Sequence, residues 1–254
     1  KIGILKEKQA EKRVALLPEH IEQFKKLNQD IILEKGAGET SFAPDEKYEE
    51  AGAAVSGRDE LLKKADIIVS VNAPEEALLA KISKGKLLIG TLNALSNKEM
   101  VLSLQEKGIT SFSLDLIPRI TRAQSMDVLS NMATVAGYKA VLTAANELPR
   151  FFPMFMTAAG TIKPAKVLVL GAGVAGLQAI ATARKLGAVV EVFDVRSAVK
   201  EEVKSLGGKF IEVEGATEDQ SAGGYAVEQT EEFKQRQAQM IQDHAAKADV
   251  VICT

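Results

Sequence analysis

Three glycines and one acid carry the clearest chemical signal in the chain. Gly171, Gly173 and Gly176 have the G-x-G-x-x-G spacing, and Asp194 follows eighteen residues after the last of them. At the first position glycine permits a tight turn. At the second it lets a pyrophosphate approach the backbone, and at the third it lets helix and strand pack closely. The N–H groups at the start of the helix then face the phosphates. An acid at the position of Asp194 accepts hydrogen bonds from the adenosine ribose hydroxyls and repels a 2′-phosphate, which favours NAD(H) over NADP(H). Arg196 stands close by and offers a charge that offsets this repulsion, so charge alone does not exclude NADP(H). The glycine pattern by itself is weak, because a glycine turn in an α/β fold can bind nothing. Its context makes it strong: 167–170 reads as an all-apolar strand, 174–186 as a helix stopped by Gly187, and Val189–Phe193 as a second strand ending at the acid.

Two further segments concentrate polar chemistry. PRITRAQSMDVLS at 118–130 brings together Arg119, Arg122, Gln124, Asp127 and several hydroxyls between a strand and a helical pattern. Its plain reading is a polar loop leading into a helix capped by Ser125, without the glutamate that completes a capping box. EGATEDQSAGGY at 214–225 is long and polar for a connection inside a domain, and suits either a lid or a solvated excursion.

These residues need elements to hold them. In the first half, strands are expected at 2–5, 30–33, 67–71, 86–89 and Thr110–Ser113, alternating with helical spacing at 18–27, Asp45–Ala51, 59–64 and 98–107. A long helix is expected from about 125 to 147, before Pro149 and Pro153. The alternation restarts at Lys166, with strands at 167–170, Val189–Phe193, 210–213 and 249–253 and helices at 174–186, 198–206 and 228–247. Such alternation predicts an α/β fold of two Rossmann-like parallel-sheet domains joined by a long helix, with domain 1–137 preceding a nucleotide-binding domain 138–254.

Composition sets the outer limits. With 46% hydrophobic and 26% charged residues and a net charge of −2, the chain has the balance of an ordinary α/β protein, and nothing in it points to nucleic acid. One cysteine, Cys253, excludes an intrachain disulfide and cannot alone make a thiolate metal site; it is expected as a small apolar residue in a buried strand. No metal site is expected. The longest apolar stretch, 167–183, is broken by glycines and by a change of period, and does not read as a transmembrane helix. The start lacks an initiator Met and a signal-type apolar core, and the end at Thr254 directly follows a strand with no helix after it. We therefore expect a fragment, a cleaved chain or a split subunit.

Taken together, PRITRAQSMDVLS, AGYKAV at 136–141, RFFPMFMTAAGTIKPAKVLVLGAGVAGLQAIATA at 150–183 and GGYA at 223–226 resemble the NAD(H)-binding domain I of proton-translocating nicotinamide nucleotide transhydrogenase. The resemblance spans the chain. It implies that Arg119, Asp127 and Ser130 hold the carboxamide end of NAD(H) and that Gln124 contacts the nicotinamide ribose. By the same resemblance Val174 lies beside the dinucleotide, Asp194 and Arg196 lie at the adenosine ribose, and Gly224, Tyr225 and Gln237 belong to a mobile loop and the helix after it, with Tyr225 closing over the nucleotide. It further implies an NADP(H)-binding partner domain, a membrane proton-channel domain, a homodimer, and a position peripheral to a membrane, at a bacterial cytoplasmic face or within an organelle.

Alanine dehydrogenase shares the fold and offers a rival reading. Arg13 resembles its carboxylate-binding arginine, but Asn72 and Asn93 stand where that family has a lysine and a histidine. Amination needs a proton-transfer group, and both positions here are amides. His20 and His244, the only histidines, lie on predicted surface-facing helices and read as structural or solvated, while Arg13 reads as half of a structural salt bridge. Hydride passage between two nicotinamides moves no substrate proton and needs only positioning. A third reading is a non-catalytic module that binds NAD(H).

Overall fold

Ile2–Ile4 (β1) is buried at every residue and has a parallel neighbour on each side, Gly3 pairing in register with Ile32 and with Ile68. Only glycine fits at the middle position, because a Cβ on Gly3 would lie 2.6 Å from the Leu61 side chain and 2.8 Å from Ala65. The computed structural model describes residues 1–8, 10–213 and 230–254, in two compact units, Lys1–Val128 and Leu129–Thr254.

In the first unit β1 is followed by α1 (Ile21–Lys26), β2 (Ile31–Glu34), α2 (Asp45–Ala51), β3 (Ala54–Ser56), α3 (Arg58–Lys64), β4 (Ile67–Asn72), α4 (Glu76–Leu79), β5 (Leu87–Thr91), α5 (Lys98–Glu106) and β6 (Thr110–Ser113). The strands form one parallel sheet in the order β3-β2-β1-β4-β5-β6. The chain runs outward from β1 on one side and then restarts at β4 on the other. The carboxyl ends of β1 and β4 are thus a topological switch point, where open α/β sheets form crevices. Local devices fix the helix ends. Lys86 Nζ donates to the carbonyls of Leu62, Lys63 and Ala65, supplying a cation to the unpaired carbonyls where α3 ends. The Asn97 side chain accepts from the Met100 N–H to start α5.

The second unit contains α6 (Val128–Glu147) from Leu129 onward, an antiparallel hairpin of β7 (Phe155–Thr157) and β8 (Gly160–Ile162), then β9 (Lys166–Leu170), α7 (Val174–Lys185), β10 (Val189–Phe193), α8 (Lys200–Ser205), β11 (Lys209–Phe210), α9 (Glu231–Ala245) and β12 (Val250–Cys253). Its parallel sheet has the order β11-β10-β9-β12. Val167, Val169, Val190 and Val192 pack with Ala179, Ile180 and Ala183 of α7 in one core. The chain passes between the units in the first turn of α6.

Several details differ from expectation for physical reasons. The strand β3 and the hairpin have no apolar alternation; β3 exists because Ala54 and Val55 pair with Ile32 and Leu33. The long helix starts at Val128, not 125, because Thr121–Met126 forms a 3-10 turn; Ser125 lies inside that turn and is not the cap. The strand expected at 210–213 is only Lys209–Phe210. Cys253 is exposed, not buried: alternation on β12, which pairs with β9, puts Ile252 inward and its neighbours outward. His244 is half-buried and its Nδ1 lies 2.7 Å from Glu191 Oε2, a structural tie between α9 and β10, while His20 is largely exposed.

Candidate functional site

The end of β9 turns sharply at Gly171, whose φ of +102° lies in the region that favours glycine. A Cβ on Gly176 would sit 2.0 Å from the Gly171 carbonyl oxygen, so α7 can rest on the turn only if that residue has no side chain. Gly173 differs from both. A Cβ there would meet nothing within 4 Å, so this residue faces open space at the N-terminus of α7. No side chain caps α7, which leaves its first N–H groups directed outward, the arrangement that receives a phosphate. The turn at Gly171, the open position at Gly173 and the close helix contact at Gly176 thus fall where the spacing puts them. A fourth was not anticipated: a Cβ on Gly137, inside α6, would lie 2.0 Å from the Ala175 carbonyl oxygen, so α6 presses directly on the first turn of α7. A glycine in a helix interior was the available signal.

Asp194 closes this turn from the end of β10. Its Oδ2 accepts the Ala172 N–H at 2.7 Å and Arg196 Nη2 at 3.1 Å; its Oδ1 accepts the Arg196 backbone N–H at 2.8 Å and Nε at 3.0 Å. The carboxylate is buried, with a side chain only 6% exposed. Burial acts to raise its pKa, but the Arg196 side chain and the Ala172 and Arg196 N–H groups outweigh it, and the pKa lies below the ordinary aspartate value. Arg196, half-buried at 35%, is drawn up by the same pair. Its side chain is thus already committed to Asp194.

The remaining expected site residues lie on other elements. Arg119 and Gln124 are exposed, Gln124 within the 3-10 turn, while Asp127 is buried in extended backbone directly before α6 and Ser130 lies in the helix's first turn. The Asp127 N–H donates to the Gln124 carbonyl at 3.3 Å, and the Ser130 carbonyl accepts from Thr134 Oγ1 at 3.2 Å. Val174 is exposed at the start of α7. Gln237 is half-buried on α9. Gly224 and Tyr225 lie outside the described residues. Within the second unit the structure brings together the glycine turn, Val174, Asp194 and Arg196.

The first unit has its own crevice, a cavity of about 480 Å³ at the switch point, lined in part by Lys6, Glu7 and Glu11 after β1 and by Ser70 and Asn72 of β4. Its polar groups are paired with one another. Asn72 Nδ2 donates to Glu7 Oε2 at 3.2 Å and to Glu11 Oε2 at 3.0 Å. Arg13 grips Glu11 through Nε at 2.8 Å and Nη2 at 2.6 Å, the structural salt bridge expected for it. Asn93, at a φ of +51°, donates its backbone N–H to Asp115, whose carboxylate also accepts from Leu92 N and Ser113 Oγ. The Arg13 guanidinium beside it holds the Glu11 carboxyl down to about 2, far too acidic to carry a proton at neutral pH. Because its folded pKa is depressed, the pair's stabilisation is fully present above the unfolded value near 4.5 and is lost as pH falls through about 2. A carbon-detected NMR titration of Glu11 should show that low midpoint, and Arg13→Gln should return it toward the ordinary glutamate range.

Among the described residues no three His, Cys, Asp or Glu side chains are grouped to hold a metal, and no helix is long and apolar enough to cross a membrane.

A parallel sheet with this glycine turn, uncapped helix and terminal acid defines a dinucleotide-fold protein of Rossmann type. Residues 3–136 match the family model for the alanine dehydrogenase/PNT N-terminal domain and residues 140–254 that for its C-terminal domain. The chain is 47% identical over 263 residues to the first of the chains that make up the NAD(P) transhydrogenase alpha subunit of Rhodospirillum rubrum, an alignment that covers all of this chain and 68% of that one. A crystal structure of transhydrogenase from Sinorhizobium meliloti superposes with a TM-score of 0.90 at 45% identity, over 99% of this chain and 68% of that one. Alanine dehydrogenase of Mycolicibacterium smegmatis is more distant, 31% identical over 76% of this chain and 53% of its own length. The chain belongs to the alanine dehydrogenase/PNT family and, within it, to the transhydrogenase alpha subunits. It is an oxidoreductase-type component of a transhydrogenase.

Proposed function

We propose that this chain is the NAD(H)-holding component of a proton-translocating transhydrogenase and presents that nucleotide to NADP(H) held on a separate domain. The reaction is passage of a hydride between C4 of one nicotinamide and C4 of the other, the donor ring being oxidised and the acceptor reduced, with no substrate proton moved. One observation favours this over amino-acid oxidation. At the positions where a dehydrogenase keeps a cation and proton carriers, Arg13 is gripped by Glu11, Asn72 is bonded to two carboxylates, and Asn93 is an amide. Of these three side chains, Arg13 is already paired with a carboxylate and the two amides carry no titratable proton.

The roles divide by position. Gly173 and the uncapped start of α7 receive the pyrophosphate beside Val174, and Asp194, with Arg196 beside it, receives the adenosine ribose. Arg119, Asp127 and Ser130 hold the carboxamide end and Gln124 the nicotinamide ribose. Gln237 of α9 adds to the nucleotide site, and Gly224 and Tyr225 are assigned to it by the resemblance alone. Partners are the NADP(H)-binding domain and the membrane domain that passes protons. The test is to supply NADH and an NADP⁺ analogue with an NADP(H)-binding partner domain and to follow transfer. Gln124→Ala and Asp127→Asn should slow transfer at least about tenfold while NADH affinity changes by less than about threefold, since these groups act on ring geometry. Equal losses in rate and affinity would contradict the assigned roles, and no transfer by the unaltered protein would leave only a binding module.

The chain also acts as a homodimer in this reading. The β7–β8 hairpin exposes Phe155 and Met156 beside Phe151, Met154 and Ile162, an apolar surface on a two-stranded ribbon that has little stability alone. A second copy is the proposed cover. Sedimentation should show a dimer that Met156→Asp weakens by about tenfold or more; a monomer at all concentrations would refute this arrangement.

A further inference from the structure

We propose that the Arg196 side chain is a displaceable internal ligand of Asp194, occupying the acceptor sites a ribose diol takes, so that it sets the affinity and the 2′-specificity of the adenosine end. This rests on nucleotide binding at the glycine turn. The carboxylate has two oxygens with about four lone-pair sites, and four donors fill them. Two of those donors, the Ala172 and Arg196 N–H groups, are backbone and are fixed by the turn and by the end of β10. The other two belong to the Arg196 guanidinium, at 3.0 and 3.1 Å on a half-exposed side chain, and these can leave.

A ribose 2′,3′-diol brings two O–H donors and needs two acceptors. It can gain them at Asp194 only where the guanidinium lets go, and its hydroxyls then replace the bonds the buried carboxylate loses. Glu202, whose charge already acts on Arg196, offers the released guanidinium a favourable field. A 2′-phosphate supplies acceptors in place of the 2′ donor. It cannot repair the carboxylate it exposes, so the exchange that admits NAD(H) rejects NADP(H). Arg196 therefore reinforces the selectivity of Asp194, although its charge taken alone would favour a phosphate.

The experiment titrates the chain with adenosine and with 2′-deoxyadenosine, both uncharged, so that loss of a cation near the phosphates does not enter. Arg196→Ala should bind adenosine about threefold to tenfold more tightly than the unaltered chain, with a smaller gain for 2′-deoxyadenosine. Arg196→Lys, which keeps the charge but not the fork, should fall between. In the unaltered chain the Arg196 Nε–H resonance should shift on adding adenosine, a readout that needs no variant. Adenosine affinity in Arg196→Ala that is equal or weaker, or an Nε–H signal unmoved at saturation, would overturn the proposal. Failure of the unaltered chain to bind either NADH or adenosine would instead overturn the nucleotide site itself.

Discussion

Gly176→Ala should unfold the glycine turn, whereas Gly173→Ala, three residues away, should leave it standing and weaken NADH binding. The contrast follows from where each added methyl group goes. At Gly176 it would lie 2.0 Å from the Gly171 carbonyl oxygen and 2.9 Å from its carbon, and both are backbone atoms that can move only if α7 moves off β9. Forcing such an overlap in a packed interior destabilises by about 3 kcal/mol or more, a large part of a domain's stability. At Gly173 the methyl group meets no protein atom within 4 Å, and the backbone there is extended, at φ −74° and ψ −170°, which alanine adopts readily. Stability should change by less than about 0.5 kcal/mol. The methyl group does fill the space a pyrophosphate would approach, and NADH affinity should drop by about tenfold or more. Thermal unfolding and NADH fluorescence titration of the two variants decide the matter; a Gly173→Ala protein that keeps its affinity would place the phosphates elsewhere.

Asp194→Ala should cost both stability and binding. The Ala172 N–H is buried and has its partner in Asp194, so truncation leaves a buried donor unsatisfied and the Arg196 guanidinium unpaired. Hydrogen bonds to a charged group contribute about 1.5–3 kcal/mol, and the second unit should lose about that much. NADH affinity should fall by about a hundredfold, since the ribose loses its acceptors. The pH dependence carries a definite sign. The folded pKa of Asp194 lies below that of an unfolded aspartate, about 3.9. The carboxylate's contribution is thus fully present above that value and disappears as pH falls through the lower folded pKa. Denaturation of the two proteins from pH 8 downward should show a constant difference to about pH 5 that narrows only below about pH 4. A difference that narrows near neutrality would mean the carboxylate is not held as described.

The same residues separate what could be read from one dimension and what needed three. Wherever an element's signal lies within its own residues, the reading held closely. Asp45–Ala51, Thr110–Ser113 and Val189–Phe193 form at the expected bounds, and the strand, glycine turn, helix, strand and acid from Lys166 to Asp194 fold as that run of residue types requires. Glycine spacing and apolar runs act through local sterics and burial, so sequence by itself determined that portion of the site and the two parallel sheets.

Tertiary structure decided whatever depended on a distant partner. Ala54–Ser56 is a strand only because β2 lies beside it. Thr121–Met126 coils into a 3-10 turn, so the start of α6 moves from Ser125 to Val128. Gly137 is compulsory only because the Ala175 carbonyl rests against it. Asp194 illustrates the division most clearly. Its position after β10 marked it as the acid at the ribose, but its bond to Ala172, 22 residues earlier, was invisible until the strands were side by side. Hydrogen bonds to a buried carboxylate are set by which donors the fold carries within about 3 Å, and no spacing along the chain records that distance.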